Sequence, residues 1–327
     1  MKTISLFLSA MIIGHQLIAN VDCYNFDYSN FLPFSTNKLI KAESADGSAA
    51  ADAVTTPPAP CGISPIPLDS EMNETITAQL GQVVWHVAVE SKGLIGGVWK
   101  ISCGGAVITP QAVLTAASCV DGQFSGMNRA EAGIIELPKG GFFKKGAGQS
   151  EPTQAFIESV KVHPNFDKKT LANNLAVLRL AMPFDFAKTD GNISNICMPN
   201  VPVNHVESDE KLFISGWGAG IDGTILRKKL QIQPVQIVDC PADQPRNKNE
   251  FCVSQEIDQM TETGTMSEQQ CEGDIGGPLF TSNTDAKGSI LLGIASHCTN
   301  CTTDNPMIFT DVFPYLQWIH DSSKPHY

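Results

Sequence analysis

Ten cysteines and seven histidines are the side chains here with the most chemical reach, and their spacing decides between a metal centre, a reactive thiol and cross-links. Metal sites of the CxxC-plus-HxxxH kind need ligands in close sets. Cys298-Thr299-Asn300-Cys301 is the one CxxC, and the histidines are dispersed, so no metal and no cofactor is expected. His297 precedes Cys298, which sets an imidazole beside a thiol in the sequence. Activating a thiol takes a lowered pKa or a base in reach, and successive strand side chains point to opposite faces. Disulfides are the remaining use of the sulfur, and they suit a secreted chain. Asn73-Glu74-Thr75, Asn192-Ile193-Ser194 and Asn300-Cys301-Thr302 fit the N-glycosylation pattern, although a cysteine in the middle hinders the third.

Such groups act only where secondary structure holds them. Short apolar runs separated by turn residues recur at 83–89, 106–114, 156–162, 175–180, 212–215, 230–237 and 290–295, an all-β pattern. Val312, Tyr315, Leu316 and Ile319 share helical spacing, so a helix is expected over 312–320. Lys2 ahead of the apolar run 4–13 reads as a secretory leader over 1–19. Aromatics at Tyr24, Phe26, Tyr28, Phe31 and Phe34 give way to small residues and prolines over 42–60, so 20–60 reads as a flexible segment and linker. About 265 residues then remain for one domain, 61–322, enough to bury a large core. A net charge of −12 with scattered basic residues argues against nucleic acid, and no further segment is long and apolar enough for a membrane partner.

Three motifs follow one another in the second part of the chain. Cys103-Gly104-Gly105-Ala106-Val107-Ile108 leads to Val113-Leu114-Thr115-Ala116-Ala117-Ser118-Cys119; His163-Pro164-Asn165-Phe166 leads to Asn173-Asn174-Leu175-Ala176-Val177-Leu178; and Cys271-Glu272-Gly273-Asp274-Ile275-Gly276-Gly277-Pro278 closes the series after Gly216-Trp217-Gly218. Together they resemble the signatures of the trypsin-like serine proteases. That resemblance implies two six-stranded antiparallel β-barrels with a C-terminal α-helix, meeting near 195–205. It places Ser118 where the general base histidine is expected, Asn174 where an aspartate orients it, and Ile275 at the nucleophilic serine.

The same resemblance reaches the substrate pocket. Gln269 stands at its floor, Cys298 and Met307 replace wall glycines, and His297 replaces a supporting tryptophan. Gly273 and Ile275 would lend backbone amides to an oxyanion hole, and Asp274 would await a new amino terminus. No Lys or Arg lies between Gly62 and His86, so tryptic activation is not expected. The implied disulfides are Cys61–Cys197, Cys103–Cys119, Cys240–Cys252 and Cys271–Cys301. Cys23 and Cys298 are left to bridge each other or a partner chain.

Losing serine or histidine from such a relay costs roughly 10⁶ in turnover. The chain is therefore expected not to be an enzyme. The resemblance implies an arthropod-type homologue without a six-cysteine clip module, secreted and binding extracellular proteins, an active serine protease or its substrate among them, as a regulator, cofactor or decoy in a proteolytic, immune or reproductive-fluid pathway. The alternatives are a weak endopeptidase using Cys298 or Ser118, and a disulfide-linked structural or carrier component.

Overall fold

The computed structural model describes residues 60–92, 99–122, 127–137, 153–218, 227–242, 246–255, 275–282, 288–297 and 306–324. Expectations for the leader, the linker, Cys23, Gln269, Cys271, Gly273, Asp274, Cys298, Asn300 and Cys301 fall outside them.

Thirteen strands form two antiparallel barrels among the described residues. The first closes in the order β2 (His86–Lys92), β3 (Trp99–Thr109), β4 (Ala112–Thr115), β7 (Ala176–Leu180), β6 (Thr153–Val162) and β5 (Asn128–Ala132). The second runs β9 (Gln231–Val238), β10 (Glu250–Gln255), β13 (Met307–Asp311), β12 (Leu291–His297), β11 (Pro278–Thr281) and β8 (Leu212–Gly216), and β8 pairs back onto β9 to close it. A two-residue strand, β1 (Ile76–Thr77), adds to β9. One turn of 3₁₀ helix at Phe313–Tyr315 leads into the helix α1 (Leu316–Ser323).

Three expected elements differ. The run 106–114 is not one strand, because Pro110 cannot donate to a ladder and the chain turns there between β3 and β4. The run 83–89 begins its strand only at His86, where His86 N–H donates to the Val83 carbonyl in a tight turn. The helix ends three residues later than expected, closed by Ser323 Oγ on the Ile319 carbonyl. His163 supports it, with its ring edge-on to both Tyr315 and Trp318.

Alternation builds the cores. Inner residues of β5 and β6, namely Ala130, Ala132, Ala155 and Ile157, are buried, while Phe156 between them is 60% exposed. Ile196 N–H donates into the first barrel at Val107, and Cys197 N–H donates into the second at Ser289, so the boundary falls between these two residues. Cys61 is bonded to Cys197, Cys103 to Cys119 and Cys240 to Cys252, each bridge contributing about 2 to 4 kcal/mol.

The barrels meet backbone to backbone. Gly104 N–H donates to the Ile275 carbonyl at 2.9 Å, and a Cβ on Gly104 would sit 2.9 Å from Gly277 Cα. Gly276 has φ +82°, and a Cβ there would lie 2.3 Å from Thr115 Oγ1 and 2.5 Å from the Gly104 carbonyl. Nothing larger than glycine fits. Beside this contact, buried His86 on β2 faces Ser215 on β8, Nδ1 to Oγ 2.8 Å, and Trp85 packs edge-on to Phe280 at 5.2 Å.

Two buried titratable groups give opposite pH limbs. Burial pushes the His86 imidazole down to about 3, so the unfolded chain takes up a proton first as pH falls, and stability drops from pH 6.5 toward 3. Burial also pushes the Glu131 carboxyl up to about 8, with Gln154 and Arg129 opposing and Glu90 reinforcing, so the unfolded chain loses its proton first and stability drops from pH 4.5 toward 8. Thermal melts should show the alkaline limb shrink by a few kcal/mol in Glu131→Gln and the acid limb shrink in His86→Gln. Unchanged limbs would refute these assignments.

Candidate functional site

The first barrel contributes Ser118 and Asn174. Ser118 lies in the 3₁₀ turn Ala117–Cys119 that follows β4, pinned by the Cys103–Cys119 bridge, and its side chain is exposed. Asn174 precedes β7 and is fully buried. Asn173 before it adopts φ +56°, a left-handed conformation that asparagine tolerates, and its amide donates to the Asn165 carbonyl to hold the turn.

The second barrel brings Ser296 and His297 at the end of β12, and Ile275 in the turn before β11. Asn174 is the centre of the arrangement. Its Oδ1 accepts from Ser118 N–H at 2.8 Å, and its Nδ2 donates to Ser118 Oγ at 3.1 Å, to Ser296 Oγ at 3.0 Å and to the Ser296 carbonyl at 3.3 Å. Ser296 Oγ lies 3.0 Å from His297 Nδ1. Burial holds the His297 imidazole below its usual range, with the nearby Glu250 charge opposing. A neutral ring accepts the Ser296 hydroxyl proton, and that orientation satisfies every member.

Ile275 packs its half-buried side chain on the core while its carbonyl takes the Gly104 N–H. Met307 opens β13, 5% exposed, in the apolar cluster with Val253, Ala295 and Phe309. Of the sequence-derived site residues, Ser118 and Asn174 are brought into direct contact. His297 joins them through Ser296, a residue whose importance the sequence marked only by its place before His297. Asn73 is exposed and takes a hydrogen bond from Lys211 Nζ, and Asn192 is half-buried.

The residues from 73 to 319 match the family described as Trypsin. The chain belongs to the trypsin family. Among its relatives, "Phenoloxidase-activating factor 3" of Holotrichia diomphalia is 30% identical over 258 residues, 75% of this chain and 70% of the relative. "CLIP domain-containing serine protease B9" of Anopheles gambiae is 28% identical over 242 residues, and this chain spans 57% of its length. "Serine protease 28" of Mus musculus is 26% identical over 248 residues, 73% of this chain and 84% of the relative.

These relationships correct the expectation that the chain is not an enzyme. Its family is one of proteases, and relatives over most of its length carry serine protease names. Family membership is read over the whole matched stretch, 73 to 319, so three altered side chains do not remove the chain from it. The departures at 118, 174 and 275 are properties of this member within the protease family. Chemically, the Ser118–Asn174–Ser296 set is neutral, exchanges hydrogen bonds, and leaves the Ser118 hydroxyl facing solvent.

An amide suits position 174 because it buries no charge. Asn174→Asp should cost about 2 to 4 kcal/mol near neutral pH, relieved as the new carboxyl is protonated in acid. Adding Ser118→His supplies a cation and should return about 1 to 3 kcal/mol in a double-mutant cycle read by denaturant unfolding. Strict additivity would show that the two positions do not communicate.

Proposed function

We propose that the chain is a secreted regulator, cofactor or decoy of an extracellular proteolytic pathway, immune or in a reproductive fluid, that works by binding protein through the loops around its cleft. One observation carries the reading: Asn174 ties Ser118 and Ser296 into one uncharged, hydrogen-bonded set. Loops on a rigid barrel scaffold remain good recognition surfaces whatever their chemistry. Three disulfides fit an oxidising, extracellular compartment. Among the described residues no helix is long and apolar enough to cross a membrane. A relative named for activating phenoloxidase supports a proteolytic cascade as the setting. Its partners would be an active serine protease or that protease's substrate, with Cys23 or Cys298 able to link a partner covalently.

The relatives' protease names favour a second reading, weak endopeptidase action through an unorthodox group, for which the exposed Ser118 hydroxyl is the candidate among the described residues. One experiment separates the two. Purified chain is titrated into an active trypsin-family protease and its protein substrate, and is separately given fluorogenic peptides and a fluorophosphonate probe. The regulatory reading expects the protease's rate to change about threefold or more, saturably, and equally with the wild-type chain and with Ser118→Ala. Peptide hydrolysis abolished by Ser118→Ala would establish the second reading instead.

A further inference from the structure

The outer face of the first barrel, formed by β2, β3, β5 and β6, carries a charged and aromatic group that the cleft does not use. Register places Glu90 opposite Arg129, Arg129 opposite Phe156, and Lys92 opposite Trp99, so these side chains share one face. Phe156 is 60% exposed in mid-strand, with its ring centroid 6.1 Å from that of Trp99. The Arg129 guanidinium lies 4.5 Å from the Trp99 ring centroid, and the Lys92 ammonium 5.9 Å from it.

Arg129 is held from three sides. Its Nε donates to Glu90, its Nη1 donates to Gln154 Oε1 at 3.0 Å, and the indole covers its plane. A cation fixed in this way loses little freedom when a ligand arrives. Buried Glu90 balances Arg129, and Lys92 forms no ion pair among the described residues, so its charge is in surplus. That surplus makes this face attractive to an acidic partner.

We propose that this face is a docking surface, separate from the cleft, for a protein segment that presents an acidic side chain beside an aromatic one. The aromatic ring packs on Phe156 and Trp99, and the carboxylate meets the Lys92 ammonium at the edge of the indole. The inference stands apart from whatever the cleft does, because none of these residues belongs to it.

A short fluorescein-labelled peptide of alternating glutamate and phenylalanine tests it, with lysine-for-glutamate and alanine-for-phenylalanine versions as controls. Polarisation is read against the full chain and against Phe156→Ala, Lys92→Glu and, as an exposed apolar control on the second barrel, Ile237→Ala. The expected result is saturable binding of the acidic-aromatic peptide only, weakened about tenfold by each of the first two substitutions and unchanged by the third. Added salt should weaken it further. Equal affinity for all four proteins, equal binding of the lysine peptide, or no binding at millimolar peptide would overturn the proposal.

Discussion

The structure turns on a contact between two stretches of bare backbone. Gly104 of the first barrel and Gly276–Gly277 of the second approach so closely that a single methyl on either side would overlap main-chain atoms. That proximity lets the Gly104 amide reach the Ile275 carbonyl and fixes Ile275 at the junction of the barrels. Ser296, one strand away on the second barrel, is thereby brought within hydrogen-bond range of Asn174 on the first. His86 and Ser215 add a buried bond between the same two bodies. The site is assembled across a seam, and its geometry is only as precise as the seam is tight.

Within that frame, the polar set at 118, 174 and 296 carries no charge and keeps its hydrogen bonds. An asparagine can receive the Ser118 amide as a carboxylate would, but its second terminal atom is a donor, and it serves two hydroxyls and a carbonyl. A buried carboxylate in the same cradle would need a cation to offset its lost hydration. The amide leaves no charge buried at this junction of the two barrels.

Much of this was legible in the sequence, for definite reasons. Two-residue periodicity and turn residues announce an all-β chain, and motif order announced the barrels and the cysteine pairs 61–197, 103–119 and 240–252. Period alone misread 106–114 as one strand, because apolar residues resume directly after the short turn Thr109-Pro110-Gln111. The importance of His86 was invisible, since its partner Ser215 is 129 positions away and no local pattern links them. The membership of a protease family also outweighed what three substituted positions suggested about class. Side-chain identity speaks to a reaction step, whereas the whole scaffold speaks to descent.

The strap at the start of the domain has a consequence of its own. Cys61 and Cys197 are 136 positions apart, and around them Gly62 N–H donates to the Asn195 carbonyl while Ser289 N–H donates to the Gly62 carbonyl. A backbone nick anywhere inside that long loop would leave both fragments covalently joined and seated on the second barrel. Processing of the first barrel could therefore alter its loops while the molecule continues to migrate as a single species until its sulfur bridges are reduced.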